Sequence, residues 1–144
     1  MAAAIRLKLV TLNGVKFDED VYEVILPTMD GEIGVMPGHM PLISVAVPGA
    51  IGVRYRSIDR DNEMEDFAIS GGVIEVRDNV LSVLVDEADK GEDIDAQEAQ
   101  KAFEEAKRLR ETASSAIELE KAQELMDRQA VRLQVAGLRR RRSR

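Results

Sequence analysis

Apolar and polar positions change period once along the chain. Residues 5–10, Ile-Arg-Leu-Lys-Leu-Val, alternate as a strand with one buried face does. Val21 to Leu26 is a β-rich run stopped by Pro27. Short apolar runs follow at Ile33–Met36, Leu42–Val47 and Ala50–Tyr55, each cut by Gly or Pro. Phe67–Ser70, Val73–Val76 and Val80–Val85 complete the series, with Asp78-Asn79 between the last two as a hairpin turn signal. Many short strands at close spacing predict a small sandwich or barrel. About 85 residues are enough for one modest core of that kind.

From Asp95 onward Gly and Pro nearly vanish and the period becomes helical. Asp95 is a candidate N-cap, with Glu98 as the reciprocal partner of a capping box. Ala99, Ala102, Phe103, Ala106, Leu109 and Ala113 recur at spacings of three and four, one narrow and mostly Ala face. Ser115-Ala-Ile-Glu118 repeats the capping pattern, so a break is expected at residues 112–115. A second helix then runs through Ala122, Leu125, Met126, Gln129, Leu133 and Ala136 to Gly137. Each helix would be on the order of 30 Å long. Facing Ala stripes bury little area, at about 25 cal/mol per Å². Such a hairpin is weakly held and able to open. The expected fold class is α+β, with a β domain over residues 1–87 and a helical hairpin with a tail over residues 88–144.

Charge follows the same division. Residues 1–87 hold 7 Lys+Arg against 15 Asp+Glu, and residues 88–144 hold 13 against 12. The last seventeen residues carry seven Arg and no acid, so an acidic body ends in a basic tail.

Composition narrows the chemistry. There is no Cys and one His, which removes disulfides, thiolate metal sites and His-rich metal sites. With no Trp, three Phe and two Tyr, a base-stacking platform for nucleic acid is not expected. No apolar run approaches the roughly 20 residues of a membrane span. The opening residues lack the order of a signal peptide, so the expectation is a cytoplasmic or comparable reducing compartment. Phosphate-loop, nucleophile-elbow and dinucleotide motifs are all missing. His39 lies in a Pro/Gly turn and reads as a turn or surface residue. Asp18/Asp20 and Asp59/Asp61 read as surface charges. As an enzyme on its own the chain shows no active site.

The most distinctive stretch is Asp30-Gly-Glu-Ile-Gly-Val-Met-Pro-Gly-His-Met-Pro-Leu42. Its Gly and Pro residues set a rigid strand-loop-strand path, expected to bring Glu32, Met36 and His39 near one exposed tip. A tight hairpin alone accounts for it as well as a contact surface does. The stretch closely resembles the Gly-Glu-x-Gly-x-x-Pro-Gly-His-x-Pro-Leu signature of the epsilon subunit of F-type ATP synthases. Ser70-Gly-Gly-Val-Ile-Glu-Val76, Val80-Leu-Ser-Val-Leu-Val-Asp-Glu-Ala88 and Gly91-Glu-Asp-Ile-Asp95 extend the resemblance. It covers about residues 4–137.

The resemblance implies a flattened antiparallel β-sandwich followed by an antiparallel α-helical hairpin. It implies a non-catalytic central-stalk rotor subunit of a proton-translocating synthase, with ATP chemistry on the beta subunits. The implied partners are the gamma subunit, the c-subunit ring and, in an extended state, the alpha/beta catalytic ring. Glu32, Met36 and His39 map to the ring and gamma contact loop. The hairpin, folded beside the sandwich or extended along gamma, would inhibit ATP hydrolysis. Arg128, Arg132, Arg139, Arg140, Arg141 and Arg142 are the candidates for contact with beta, against a solvated, frayed C-terminus. Some relatives bind ATP through an Ile/Leu-Asp-x-x-Arg-Ala segment. Here it reads Ile94-Asp-Ala-Gln-Glu-Ala99, and Glu98 in place of the Arg predicts weak or absent nucleotide binding. No cofactor, metal or nucleic acid is expected. Membrane association would come only through the complex, at the cytoplasmic face of a bacterial plasma membrane or, alternatively, at a plastid thylakoid. A competing reading is a basic-tailed nucleic-acid-binding module.

Overall fold

The computed structural model describes residues 3–142, with the backbone alone for Arg142. Ten strands come first: β1 (Ile5–Thr11), β2 (Gly14–Val21), β3 (Glu23–Thr28), β4 (Gly31–Val35), β5 (Leu42–Ala46), β6 (Gly49–Arg54), β7 (Glu65–Ile69), β8 (Gly72–Arg77), β9 (Val80–Val85) and β10 (Ala88–Lys90). Two helices follow, α1 (Ala96–Glu111) and α2 (Ala116–Arg142).

The strand order is β10-β7-β6-β3-β5-β8-β9-β1-β2, with β4 also paired to β3. The ladder is nearly broken in the middle, because β3 meets β5 at the single pair Thr28↔Ala46. The sheet folds over there. Phe17 of β2, at one end of the order, packs edge-on against Phe67 of β7, near the other end, with centroids 5.4 Å apart. That contact closes a sandwich. Its core runs through Leu7, Leu9, Val24, Leu26, Ile51, Ile74, Leu81 and Val83, all essentially inaccessible. The layers are not wholly antiparallel, since β1 and β9 run parallel.

Local chemistry explains the connections. Asp78 and Asn79 have φ of 51° and 61°, so the β8–β9 hairpin uses a two-residue turn with both central residues left-handed. Gly72 begins β8 where an added Cβ would stand 1.9 Å from the Leu84 carbonyl oxygen, which only Gly permits.

Two strands escape the hydrophobic pattern. β2 buries only Phe17 and Val21, and its charged remainder suits an edge. β10 extends the sheet three residues beyond the expected boundary at 87, pairing with β7 through Ala88↔Ile69 to Lys90↔Phe67. The division between sheet and hairpin therefore falls after a 3-10 turn at Gly91–Asp93.

The Asp95 side chain accepts from the Gln97 and Glu98 N–H groups and caps α1. At the second start Ser115 Oγ accepts from the Glu118 N–H, while the Glu118 carboxylate reaches back to Ser114 rather than Ser115. Hydrogen bonds from the Ser114 N–H and hydroxyl hold that carboxyl below its ordinary range. Arg110 at the end of α1 donates to Gln123 near the start of α2, as an antiparallel hairpin requires. The helices are unequal. α2 spans 27 residues, about 40 Å. It runs through Gly137, where good helix formers on either side carry the helix past one glycine. Ala99, Ala106, Ala122, Met126 and Gln129 are buried on the hairpin, and Val135 is fully buried.

Candidate functional site

The signature loop lies between β4 and β5. The His39 N–H donates to the Met36 carbonyl at 3.1 Å, closing a turn over Pro37-Gly38. Gly38 has φ of +81°, the left-handed third position a type II turn needs after Pro. The Gly38 N–H donates to Asn79 Oδ1 at 2.9 Å, and Asn79 Nδ2 donates to the Ala4 carbonyl at 2.8 Å. The β8–β9 turn thus clamps the loop and the first strand. His39 Nδ1 donates to the Met40 carbonyl at 2.7 Å, which orients the ring.

Glu32 is not part of that tip. It sits in β4 opposite Pro27, beside the β3–β4 turn, where Thr28 Oγ1 donates to the Gly31 carbonyl and accepts from the Asp30 N–H. Met36 lies four extended residues away, roughly 13 Å along the strand. The expected single tip is therefore two patches at opposite ends of β4. Glu32 and the exposed Met29 stand at one end, Met36, His39 and Met40 at the other.

A third feature escaped the sequence reading. Val45, Val73 and Leu84 are neighbours across β5, β8 and β9, and all point outward. Val10 and Val15 continue the row onto β1 and β2. Ile43 stands 76% exposed on the same face. The signal was present in Val80-Leu-Ser-Val-Leu-Val85, which is apolar on both faces of its strand.

The hairpin packs with α2 against β6, β7 and the 3-10 turn at 91–93, and its Gln134 and Leu138 line one cleft with Glu32. Two of its candidate arginines pair with sandwich acids, while Arg139 to Arg141 are exposed. Arg128 pairs with Glu87, and Arg132 Nε stands 3.3 Å from Asp89 Oδ2. Arg139 lines a cleft with Asp66 and Lys90. Arg140 and Arg141 border a groove with Leu133 and Gly137. The Arg142 side chain lies outside the described residues. Glu87 and Asp89 were missed because their partners lie some forty residues away.

A buried-edge network fixes the exit from the sheet. The Tyr55 hydroxyl donates to Glu65, and Lys90 Nζ stands 2.9 Å from Glu65 and 3.2 Å from Glu92. Burial, with Glu19 and Glu92 nearby, pushes Tyr55 up to about 12. Among the described residues no His, Asp or Glu cluster is placed to hold a metal, and no helix is long and apolar enough to cross a membrane.

Residues 4–91 match the family described as ATP synthase, Delta/Epsilon chain, beta-sandwich domain. The chain belongs to the ATP synthase epsilon family. The ATP synthase epsilon chain of Rippkaea orientalis is 35% identical over 137 residues, covering 93% of this chain and 97% of that one. The epsilon chain of Xanthomonas campestris is 42% identical over 104 residues, covering 72% of this chain and 71% of its own. In solved structures, a chain of the Euglena gracilis mitochondrial ATP synthase (OSCP, F1 and c-ring) superposes with a TM-score of 0.72 at 26% identity, covering 88% of this chain and 78% of that one. A chain of the Tetrahymena thermophila central stalk and c-ring shares the fold, with a TM-score of 0.62 at 14% identity, covering 91% of this chain and 95% of that one. This chain is an epsilon subunit of the ATP synthase central stalk, built as a β-sandwich followed by a helical hairpin.

Proposed function

We propose that this epsilon subunit is a non-catalytic rotor part that couples turning of the c-ring to ATP synthesis and inhibits ATP hydrolysis through its hairpin. The observation that carries the coupling role is the outward row Val45, Val73, Leu84. Three adjacent strands leave contiguous apolar area in water, the mark of a face that a partner covers. The gamma subunit is the partner assigned to it, with Met36 and His39 at its edge. The opposite end of β4, with Glu32 and Met29, is assigned to the c-ring. An acidic Glu32 suits basic ring loops, in a contact that weakens with salt.

The hairpin reading rests on α2 carrying Arg128, Arg132 and Arg139 to Arg142 on a thinly packed element. Extended toward the alpha/beta ring, these cations would meet acidic beta segments and block rotation in the hydrolysis direction. Catalysis belongs to the beta subunits. Glu98 is exposed in the first turn of α1, where the nucleotide-binding relatives carry a cation, so ATP binding is expected to be weak or absent. The subunit is peripheral and reaches the membrane only through the complex, at the cytoplasmic face of a bacterial plasma membrane.

The assembly test is V73K/L84K in the reconstituted complex. Two cations on the apolar row are expected to lower gamma binding at least tenfold while the isolated chain keeps its thermal transition. Unchanged assembly would remove that face from the gamma contact.

A further inference from the structure

The seam between hairpin and sandwich is poorly filled. Open clefts of about 510 and 450 Å³ run along it, bordered by Pro48 and Leu125 in one case and by Gly49 and Leu138 in the other. Across this seam stand two ion pairs, Arg128–Glu87 and Arg132–Asp89. Both are partly exposed, with side-chain accessibilities of 41% and 41% for the first and 20% and 38% for the second.

The spacing of the four residues matches. Arg128 and Arg132 are one helical turn apart, about 6 Å along α2. Glu87 and Asp89 are two residues apart in extended chain, about 6.6 Å. The acids sit at the entry to β10, held to the sandwich by the Ala88↔Ile69 register and by the Ser70 Oγ, which accepts from the Glu87 N–H at 3.0 Å. They form a fixed two-pronged acidic edge facing a two-pronged cationic edge on the element that would move.

We infer that Glu87 and Asp89 are an intramolecular stand-in for an acidic partner segment, masking Arg128 and Arg132 while the hairpin is docked. While the hairpin is docked each guanidinium is turned toward a sandwich acid, so an external acidic segment competes with Glu87 and Asp89 for Arg128 and Arg132. The sandwich thereby sets how readily the hairpin is released, and ionic strength tunes it because the Arg128–Glu87 pair is open to screening. The inference rests on the proposed role of the hairpin only in identifying where the freed arginines go.

The test reads docking directly. The chain has no cysteine of its own, so Lys16→Cys on β2 and Glu120→Cys on α2 take two spin labels. Pulsed-EPR distances in the full chain report docked and open populations. Raising salt from about 0.05 to 0.5 M is expected to increase the open fraction. E87Q/D89N is expected to raise it roughly 2- to 20-fold at low salt and to flatten the salt response. Oligoglutamate at matched ionic strength is expected to open the unsubstituted chain. The swap E87R/R128E is expected to close what R128E alone opens.

An open fraction and salt response unaltered by E87Q/D89N would overturn the inference. So would a swap that fails to restore docking, or an oligoglutamate that shifts nothing. Hydrolysis is not read, so a failure of the inhibitory role leaves this result standing, and the reverse holds too.

Discussion

Asn79 and Gly38, 41 positions apart in sequence, are joined by a hydrogen bond of 2.9 Å from the Gly38 N–H to the Asn79 side-chain oxygen. The same amide group donates to the Ala4 carbonyl at 2.8 Å. One turn residue thus sets both the shape of its own hairpin and the position of the loop carrying Met36 and His39. Asn suits this because it tolerates φ of 61° and offers an acceptor and a donor from one short side chain.

N79G keeps the turn and removes both side-chain bonds. It is expected to cost about 1–2 kcal/mol in denaturant unfolding. It should also speed hydrogen exchange at the Gly38 amide. N79D keeps the acceptor for Gly38 and should leave that amide protected. Equal exchange in the two variants would mean that Asn79 does not hold the loop.

The hairpin and the sandwich come close at Gly91 and Val135. At Gly91 an added Cβ would stand 3.0 Å from the Asp66 carbonyl oxygen and 3.3 Å from Val135 Cγ1. G91A is therefore expected to push α2 outward. V135A removes two buried methyl-type carbons and should cost about 1–2 kcal/mol. Both variants should raise protease cleavage of the hairpin while the sandwich's melting transition stays in place. A lowered sandwich transition with a protected hairpin would contradict this.

Tyr55 is pushed up to about 12 by burial and by the neighbouring acids. A tyrosine whose folded value exceeds its unfolded value near 10 contributes stability that is complete below pH 10. That contribution is lost as pH rises from about 10 to 12. In the Y22F variant, tyrosinate absorbance should therefore half-titrate near pH 12, with loss of stability over the same window. An ordinary titration near 10 would show that burial beside Glu19 and Glu92 does not hold the proton on Tyr55.

Nucleotide binding is the sharpest expected absence. ATP titrated into the purified chain should give no saturable heat at micromolar concentrations, because Glu98 presents an anion. Saturable binding would require another cation near α1 to take the phosphate.

Local signals carried most of the fold. The Asp78-Asn79 turn, the Asp95 cap and the break before Ser115 each depend on residues within four positions of one another, so their chemistry is readable in order. β2 was hidden because an edge strand spends most of its side chains on water. Gly137 reads as a stop, but a helix ignores a glycine when its flanks are strong helix formers. The candidate site was legible only in part. The loop motif announced itself, yet Glu32 and His39 were separated by the length of β4. The row Val45, Val73, Leu84 and the pairs Arg128–Glu87 and Arg132–Asp89 are products of strand register and helix docking, which no local spacing encodes.

The central claim divides the labour: the sandwich joins the rotor and the hairpin restrains hydrolysis. ATP hydrolysis by the assembled complex, with this chain intact or ended after Ile94 so that β10 stays in the sheet, tests it most directly. The account predicts that the shortened chain still assembles and that hydrolysis rises severalfold. Normal assembly with unchanged hydrolysis would contradict it.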